Sequence, residues 1–453
     1  MAISALLTRQ ARAASAAPGT PIWISRYNGP ENGWDGVSDV GVSPDGSKVF
    51  VTGSTGWWFP HRNYATVAYD TSTGAQLWAA PYDGSIKDDD APASLGVSPD
   101  GSRVFVTGES AGSGSSFDYA TLAYDANSGA KLWVARYNGP GNWTDAAYSL
   151  GVSTDGSTVF VTGSSIGSTG GWEYGTVAYA AATGRELWIA RYSGPGLDST
   201  AADLSVSPDG SKVFVTGETS LNGQTYATVA YSATTGTQLW EAIYSGVGQF
   251  NFASRIAVSL DGSALFVTGM GTNRAGNYDY LTVAYETSTG TQLWKSRYNG
   301  PKKGNDHPTA IAVSPDMSAV FVTGESPGLG TRADYATVAY DFRSGSSLWV
   351  ARYNGARNGA DVPFALGVSP DGSAVYVTGL VAGLRSHVDS GTVAYQASTG
   401  RVLWAARFNG AANGNDESSA LAVSPDGSTV FVAGSSAGST SYNDYATVAY
   451  GAI

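Results

Sequence analysis

Apolar and polar positions along this chain alternate in short strips, four to a unit, and the unit repeats. In the copy from Ala147 to Gly194, Leu150-Gly151-Val152-Ser153 alternates around a small residue and predicts a short strand. Val159-Phe160-Val161-Thr162-Gly163, rich in β-branched and aromatic residues, predicts a second. Tyr174-Gly175-Thr176-Val177-Ala178-Tyr179 predicts a third and Glu186-Leu187-Trp188-Ile189-Ala190-Arg191-Tyr192 a fourth. Tight turns separate the first from the second and the third from the fourth. Most copies place Pro-Asp-Gly in the first turn, where proline presets φ and glycine supplies a positive φ.

The first valine of the cassette S-P-D-G-S-x-V-F-V-T-G falls at Val49, Val104, Val159, Val213, Leu265 (a substitution), Val320, Val375 and Val430. The spacings are 55, 55, 54, 52, 55, 55 and 55 residues. A fixed period of this size marks one structural unit copied through an array, and four antiparallel strands per unit is a propeller blade. The middle of the first strand is small in every copy (Gly41, Gly96, Gly151, Ser205, Ala257, Ala312, Gly367 and Ala422), as a taper toward a central axis requires. The last copy ends on its third strand, Tyr445 to Tyr450, while the chain opens with an orphan fourth strand, Pro21 to Tyr27. The expected fold is therefore all-β, an eight-bladed β-propeller with four antiparallel strands per blade, its last blade closed by the N-terminal strand. Such closure removes the exposed sheet edges that invite aggregation.

Composition narrows the picture. The 59 glycines favour short strands and turns over helices. No apolar run reaches the roughly 18 residues of a membrane span. A net charge of -12 disfavours nucleic acid, whose phosphates it would repel. The absence of cysteine excludes disulfides, thiolate metal sites, c-type haem attachment and cysteine nucleophiles. Residues 1–20 stand outside the repeat, and the Ala/Ser run before Pro18 is like the small-residue zone of a signal cleavage site. They read as a leader or signal-like segment, disordered, ahead of a single propeller domain at 21–453. The protein is expected to be a monomer, secreted or on the cell envelope, with the cytoplasm as the alternative.

Tyr124-Asp125-Ala126-Asn127-Ser128-Gly129-Ala130-Lys131-Leu132-Trp133 resembles the blade motif of pyrroloquinoline-quinone (PQQ) type propellers. The resemblance implies an indole docked between adjacent blades, here Trp23, Trp78, Trp133, Trp188, Trp240, Trp294, Trp349 and Trp404. The Ser-Pro-Asp-Gly hairpin is similar to the repeat of surface-layer and lactonase-like propellers. The quinoprotein dehydrogenases of this superfamily hold quinone and calcium with non-repeated residues, often beside a vicinal cysteine pair. No counterpart of that site is evident here, so no cofactor is predicted.

The blade order puts both tight turns on one face and the variable second-to-third loops and blade-to-blade connections on the other. The tryptophans left over from docking (Trp34, Trp57, Trp58, Trp143 and Trp172) are expected in those variable loops, with Phe59, Phe117, Phe250, Phe252, Phe364 and all three histidines, His61, His307 and His387. Rings with little entropy to lose suit a carbohydrate, a small apolar ligand or a protein partner. Arg62 completes the cluster Gly56-Trp57-Trp58-Phe59-Pro60-His61-Arg62. The structural alternative is that these rings pack under their own loops.

An acidic set recurs on the same face at Asp35, Asp90, Asp145, Asp306, Asp361 and Asp416, nine residues after an arginine position in the fourth strand: Arg26, Arg136, Arg191, Arg297, Arg352 and Arg407. The fifth copy has Ile243 and Phe252 there, the second has Pro81, and the fourth shifts its acid to Asp198. Carboxylates could bind calcium; a motif copied around a ring more readily caps loops or pairs with the arginines. Catalysis needs asymmetry, and the candidates for acid–base work are His61, His307, His387, Glu109, Glu218 and Glu325. His307 and His387, in adjacent blades, are candidates to approach each other. No nucleophile elbow, phosphate loop or dinucleotide fingerprint is present. The leading reading is a binding or scaffold propeller; the alternative is an enzyme acting on a sugar or apolar small molecule in the propeller mouth.

Overall fold

The computed structural model describes residues 16–56, 61–84, 86–196, 198–220, 223–383 and 387–453. They form eight four-stranded antiparallel sheets, one per blade. Blade 1 runs through Gly36–Val42, Lys48–Gly56, Arg62–Asp70 and Gln76–Tyr82, from innermost to outer strand. Blades 2 to 7 repeat this order. In blade 8 the outer strand is Pro21–Tyr27, paired in antiparallel register with Asn443–Gly451. Among the described residues, no helix is long and apolar enough to cross a membrane.

The core is divided into eight apolar clusters, each shared by two neighbouring blades. Every outer strand sends one tryptophan into such a cluster. Its indole N–H donates to a carbonyl in the third-to-fourth turn of the next blade, from Trp23 to Thr71 O at 2.8 Å through to Trp404 and Ala452 O at 2.7 Å. The turn glycine beneath each ring is required twice over. At Gly184 φ is +69°, and a Cβ there would lie 2.6 Å from Trp133. The seam obeys the same rule. Gly19, with φ +73°, lies under Trp404 and donates its N–H to Gly451 O. Residues 18–20, outside the repeat in sequence, thus form the turn of blade 8 across which the chain ends meet.

The small residues of the innermost strands have a specific cause. A Cβ on Gly41 would meet Leu95 of the next blade at 2.7 Å, and one on Gly367 would meet Leu421 at 2.6 Å. A third-strand tyrosine in seven blades adds a further tie. Tyr119 and Tyr335, for example, donate across the blade boundary to Gly175 O and Gly391 O at 3.1 Å. Blade 7 has Ser390 instead, hydrogen-bonded to Ser418 of blade 8. Each innermost strand also carries a β-bulge, at Ser38, Ala93, Tyr148, Ala202, Ser254, Thr309, Phe364 and Ser419. Bulges redirect side chains, here toward the axis.

Candidate functional site

The recurring aspartates serve the scaffold. Asp35, Asp90, Asp145, Asp306, Asp361 and Asp416 are all buried, and each accepts the N–H of the glycine six residues earlier, at 2.7 to 2.8 Å. They therefore cap the connection into their own blade. Burial pushes the carboxyls of Asp35, Asp90, Asp145, Asp306 and Asp361 upward, that of Asp35 to about 6.

The arginines pair with a different acid from the one expected. Arg26, Arg136, Arg297, Arg352 and Arg407 bind Asp444, Asp118, Asp279, Asp334 and Asp389 on the third strand, and Arg191 binds Glu173. Arg136 and Arg352 also reach second-strand serines, Ser110 and Ser326. Two further readings are corrected. The structural counterparts of the capping aspartate in blades 4 and 5 are Ser199 and Asn251, not Asp198 and Phe252. The shorter connections into these blades shift the count by one residue. Asp198 instead accepts the N–H of Trp172 in blade 3.

The aromatic set is divided by the structure. Trp57, Trp58 and Phe59 lie outside the described residues. Trp143 is 66% exposed in its loop, and Trp34, also exposed, stacks on Tyr442 at 5.7 Å. Four rings expected in loops lie in strands: Trp172 begins a third strand, Phe252 and Phe364 belong to innermost strands, and these three are half-buried. Phe117 likewise begins a third strand. The first residue of that strand is a variable rim position around the ring, held by Arg62, Phe117, Trp172, Gln224, Tyr278, Ala333, Val388 and Asn443.

Blades 5 and 6 bring the most together. Phe250, 43% exposed, stacks on Phe252 with centroids 6.4 Å apart and planes 5° from parallel. Phe252 meets Tyr278 edge-on at 6.0 Å, and Tyr278 meets His307 at 6.1 Å. His307 Nδ1 lies 2.6 Å from Glu325 Oε1, its direct cross-strand neighbour. A row of rings thus descends across the blade boundary to a partly exposed imidazole–carboxylate pair. Tyr278 escaped sequence reasoning because its copies share no residue type.

The other acid–base candidates are dispersed. His61 and His387 are exposed at the starts of third strands in blades 1 and 7, and His307 pairs with Glu325 of its own blade rather than with His387. Asp89 accepts the backbone N–H groups of His61 and Arg62 and pairs with the Arg62 guanidinium at 3.5 Å. Burial pushes Glu109 up, opposed by Arg62. Burial also raises Glu218, against a 3.1 Å hydrogen bond from Thr200. Among the described residues, no group of three or more His, Cys, Asp and Glu is arranged to hold a metal ion.

A second concavity lies on the axis. It is a cavity of 310 Å³ lined by all eight innermost strands. Asp39, Ser94, Ser149, Asp203 and Arg255 face it from blades 1 to 5, with Tyr148 beside them. Ala310, Ile311, Phe364, Leu366 and Leu421 are among the residues facing it from blades 6 to 8. The signal was present in the sequence two positions before the small residue of each first strand, which reads Asp, Ser, Ser, Asp, Arg, Ala, Ala, Ala around the ring.

With this geometry in place, comparison with known proteins is informative about family and fold. A family model described as outer membrane protein assembly factor BamB matches residues 9–165, 120–269 and 224–449. BamB from Moraxella catarrhalis is 16% identical over 95% of this chain and 99% of its own, with a TM-score of 0.52. Sqt1 of Chaetomium thermophilum, solved bound to the N-terminus of ribosomal protein L10, is 13% identical over 94% of this chain and 98% of its own, at 0.63. The quinohemoprotein alcohol dehydrogenase of Comamonas testosteroni is 14% identical over 95% of this chain and 76% of its own, at 0.55. These likenesses show the propeller fold alone. No curated protein matches the sequence. Eight PQQ-type blades and a family match spanning nearly the whole repeat place this chain in the PQQ-like propeller family described as outer membrane protein assembly factor BamB.

Proposed function

We propose that this protein is a recognition propeller of the cell envelope whose variable face grips a carbohydrate, with a protein segment as the alternative occupant. The carrying observation is the row Phe250, Phe252 and Tyr278 leading to His307–Glu325. Flat rings offer apolar area at low entropic cost, and the adjoining carboxylate and imidazole can accept and donate to hydroxyls. Scaffold needs do not account for the row, because the other blades close without it. The envelope location rests on the BamB family match.

The test is retention on a glycan array, comparing the wild-type protein with a Phe250→Ala/Phe252→Ala variant. Loss of two stacking rings should weaken binding about fivefold or more, taking about 0.5–1.5 kcal/mol per ring. A glycan held equally by both proteins, or no glycan held by the wild type, would exclude a carbohydrate on this row.

One observation favours a second reading, acid–base catalysis on a bound sugar. Glu325, 2.6 Å from Nδ1, orients the His307 imidazole and sets its tautomer, leaving Nε2 for proton transfer. His307→Gln should then abolish turnover of a bound glycan while leaving its retention nearly intact. Loss of retention without any turnover in the wild type would place His307 in recognition alone.

A further inference from the structure

The axial cavity carries an inference independent of the variable face. All eight innermost strands bulge at the same point, so the scaffold makes one demand there eight times. In blades 1 and 4 an aspartate answers it. Asp39 accepts the N–H groups of Val40 and of Leu95 in the next blade, at 2.8 and 2.7 Å. Asp203 accepts those of Leu204 and of Ile256 in the next blade, at 2.9 and 3.0 Å. The same bulge closes in blades 6 to 8 over Ala310, Ala365 and Ala420, with no carboxylate at all. Carboxylates are therefore optional for the ring, and their presence calls for another cause.

Their placement is also unfavourable in isolation. Burial pushes both acids up, Asp39 to about 6, although Arg255 lowers each. One guanidinium faces two carboxylates, leaving the cavity wall one negative charge in excess. The opposite arc carries Ala310, Ala365 and Ala420 at the equivalent positions, with Phe364 beside them, and no charged side chain. A wall whose charged side chains are confined to blades 1 to 5, around 310 Å³, matches the smaller ligand pockets of proteins.

We propose that the axial cavity binds a small organic cation with an apolar body, an alkyl- or arylalkylammonium. The ammonium group lies toward Asp39 and Asp203, and the apolar body lies against Phe364 and the alanines Ala310, Ala365 and Ala420. A charge-assisted hydrogen bond to a shielded carboxylate supplies the specificity, and the apolar wall supplies area. Ser94 and Ser149 donate their own hydroxyl protons to Asp39 and Asp203, at 3.4 and 2.8 Å, which leaves their oxygens to accept the remaining ammonium protons.

Isothermal titration with phenethylammonium, its alcohol analogue 2-phenylethanol and the anion 3-phenylpropionate tests this directly. Phenethylammonium should bind about tenfold or more tightly than the alcohol, the range expected of one hydrogen bond to a charged group. The anion should not bind. Asp203→Asn, which keeps one of the two bulge acceptors, should remove most of that preference. Arg255→Gln should tighten the ammonium by relieving the competing cation, at the cost of one exposed hydrogen bond to Ser254 O. Phe364→Ser should weaken both the ammonium and the alcohol. An anion bound as well as the ammonium, ammonium binding unmoved by Asp203→Asn and Arg255→Gln together, or no ammonium binding at millimolar concentration would each overturn the proposal. None of these outcomes bears on the row of rings between blades 5 and 6.

Discussion

Gly184 and Gly170 lie in the same blade and both hold a positive φ, +69° and +89°, yet they face opposite surroundings. A Cβ at Gly184 would stand 2.6 Å from the indole of Trp133, whereas one at Gly170 would meet nothing within 4 Å. Alanine at either site incurs the left-handed backbone cost, about 1 kcal/mol. At Gly184 the indole must also move. That forfeits the Trp133 hydrogen bond to Ala181 O, about 1 kcal/mol net, and disturbs its ring contacts with Phe105 and Tyr179, about another 1 kcal/mol. Gly184→Ala should therefore cost about 3 kcal/mol and Gly170→Ala about 1 kcal/mol. Urea unfolding followed by tryptophan fluorescence measures both, and hydrogen exchange should localise the Gly184→Ala loss of protection to blades 2 and 3. Equal destabilisation would mean that docking of the indole is not what the turn glycine provides.

Three further outcomes follow from the same geometry. Burial raises Asp35 and Asp39 to about 6, so between about pH 4 and 6 the folded chain holds protons that the unfolded chain has released, and stability rises as pH falls through that window. The turn aspartates act in the opposite sense. Hydrogen bonds from Ser43, Ser98 and Ser207 hold Asp45, Asp100 and Asp209 down at about 2, and their contribution is lost as pH falls from about 4 toward 2. Urea midpoints should accordingly peak near about pH 4.5, and a midpoint that climbs from there to neutral pH would contradict the buried-acid assignment. Gly19→Ala should lower the melting temperature as much as Gly400→Ala, its counterpart under Trp349, if residues 18–20 close the ring. Arg352→Ala should cost about 2 kcal/mol, since it removes hydrogen bonds to Asp334 and Ser326, while Arg343→Ala on the exposed turn should be near neutral in the same urea assay.

What the chain advertises through repetition was legible in its sequence. The blades, the docking tryptophans and the closing strand each leave a residue at a fixed interval, because the same contact must be made eight times. The capping aspartates were legible in the same way, but their partners were not. The acid that binds Arg136 is Asp118, on the third strand and 18 residues earlier, and it joins the arginine only when three strands lie side by side. Counting forward along the chain found the wrong carboxylate. A one-residue slip followed in blades 4 and 5, where shorter connections put Ser199 and Asn251 in the aspartate's place.

Both candidate sites escape such counting for a physical reason. A ligand meets one part of the ring at a time, so the residues that touch it need not recur. Tyr278 holds the rim position that is Ala333 one blade on, and Arg255 holds the axial position that is Ala310. What marks such positions is a fixed backbone geometry with changing side-chain chemistry. Bulges that are identical in eight strands, filled by two acids, one arginine, two serines and three alanines, separate the demand of the fold from the residue that answers it. The scaffold accounts for the bulge, and the proposed ammonium ligand is what would read the charge placed on it.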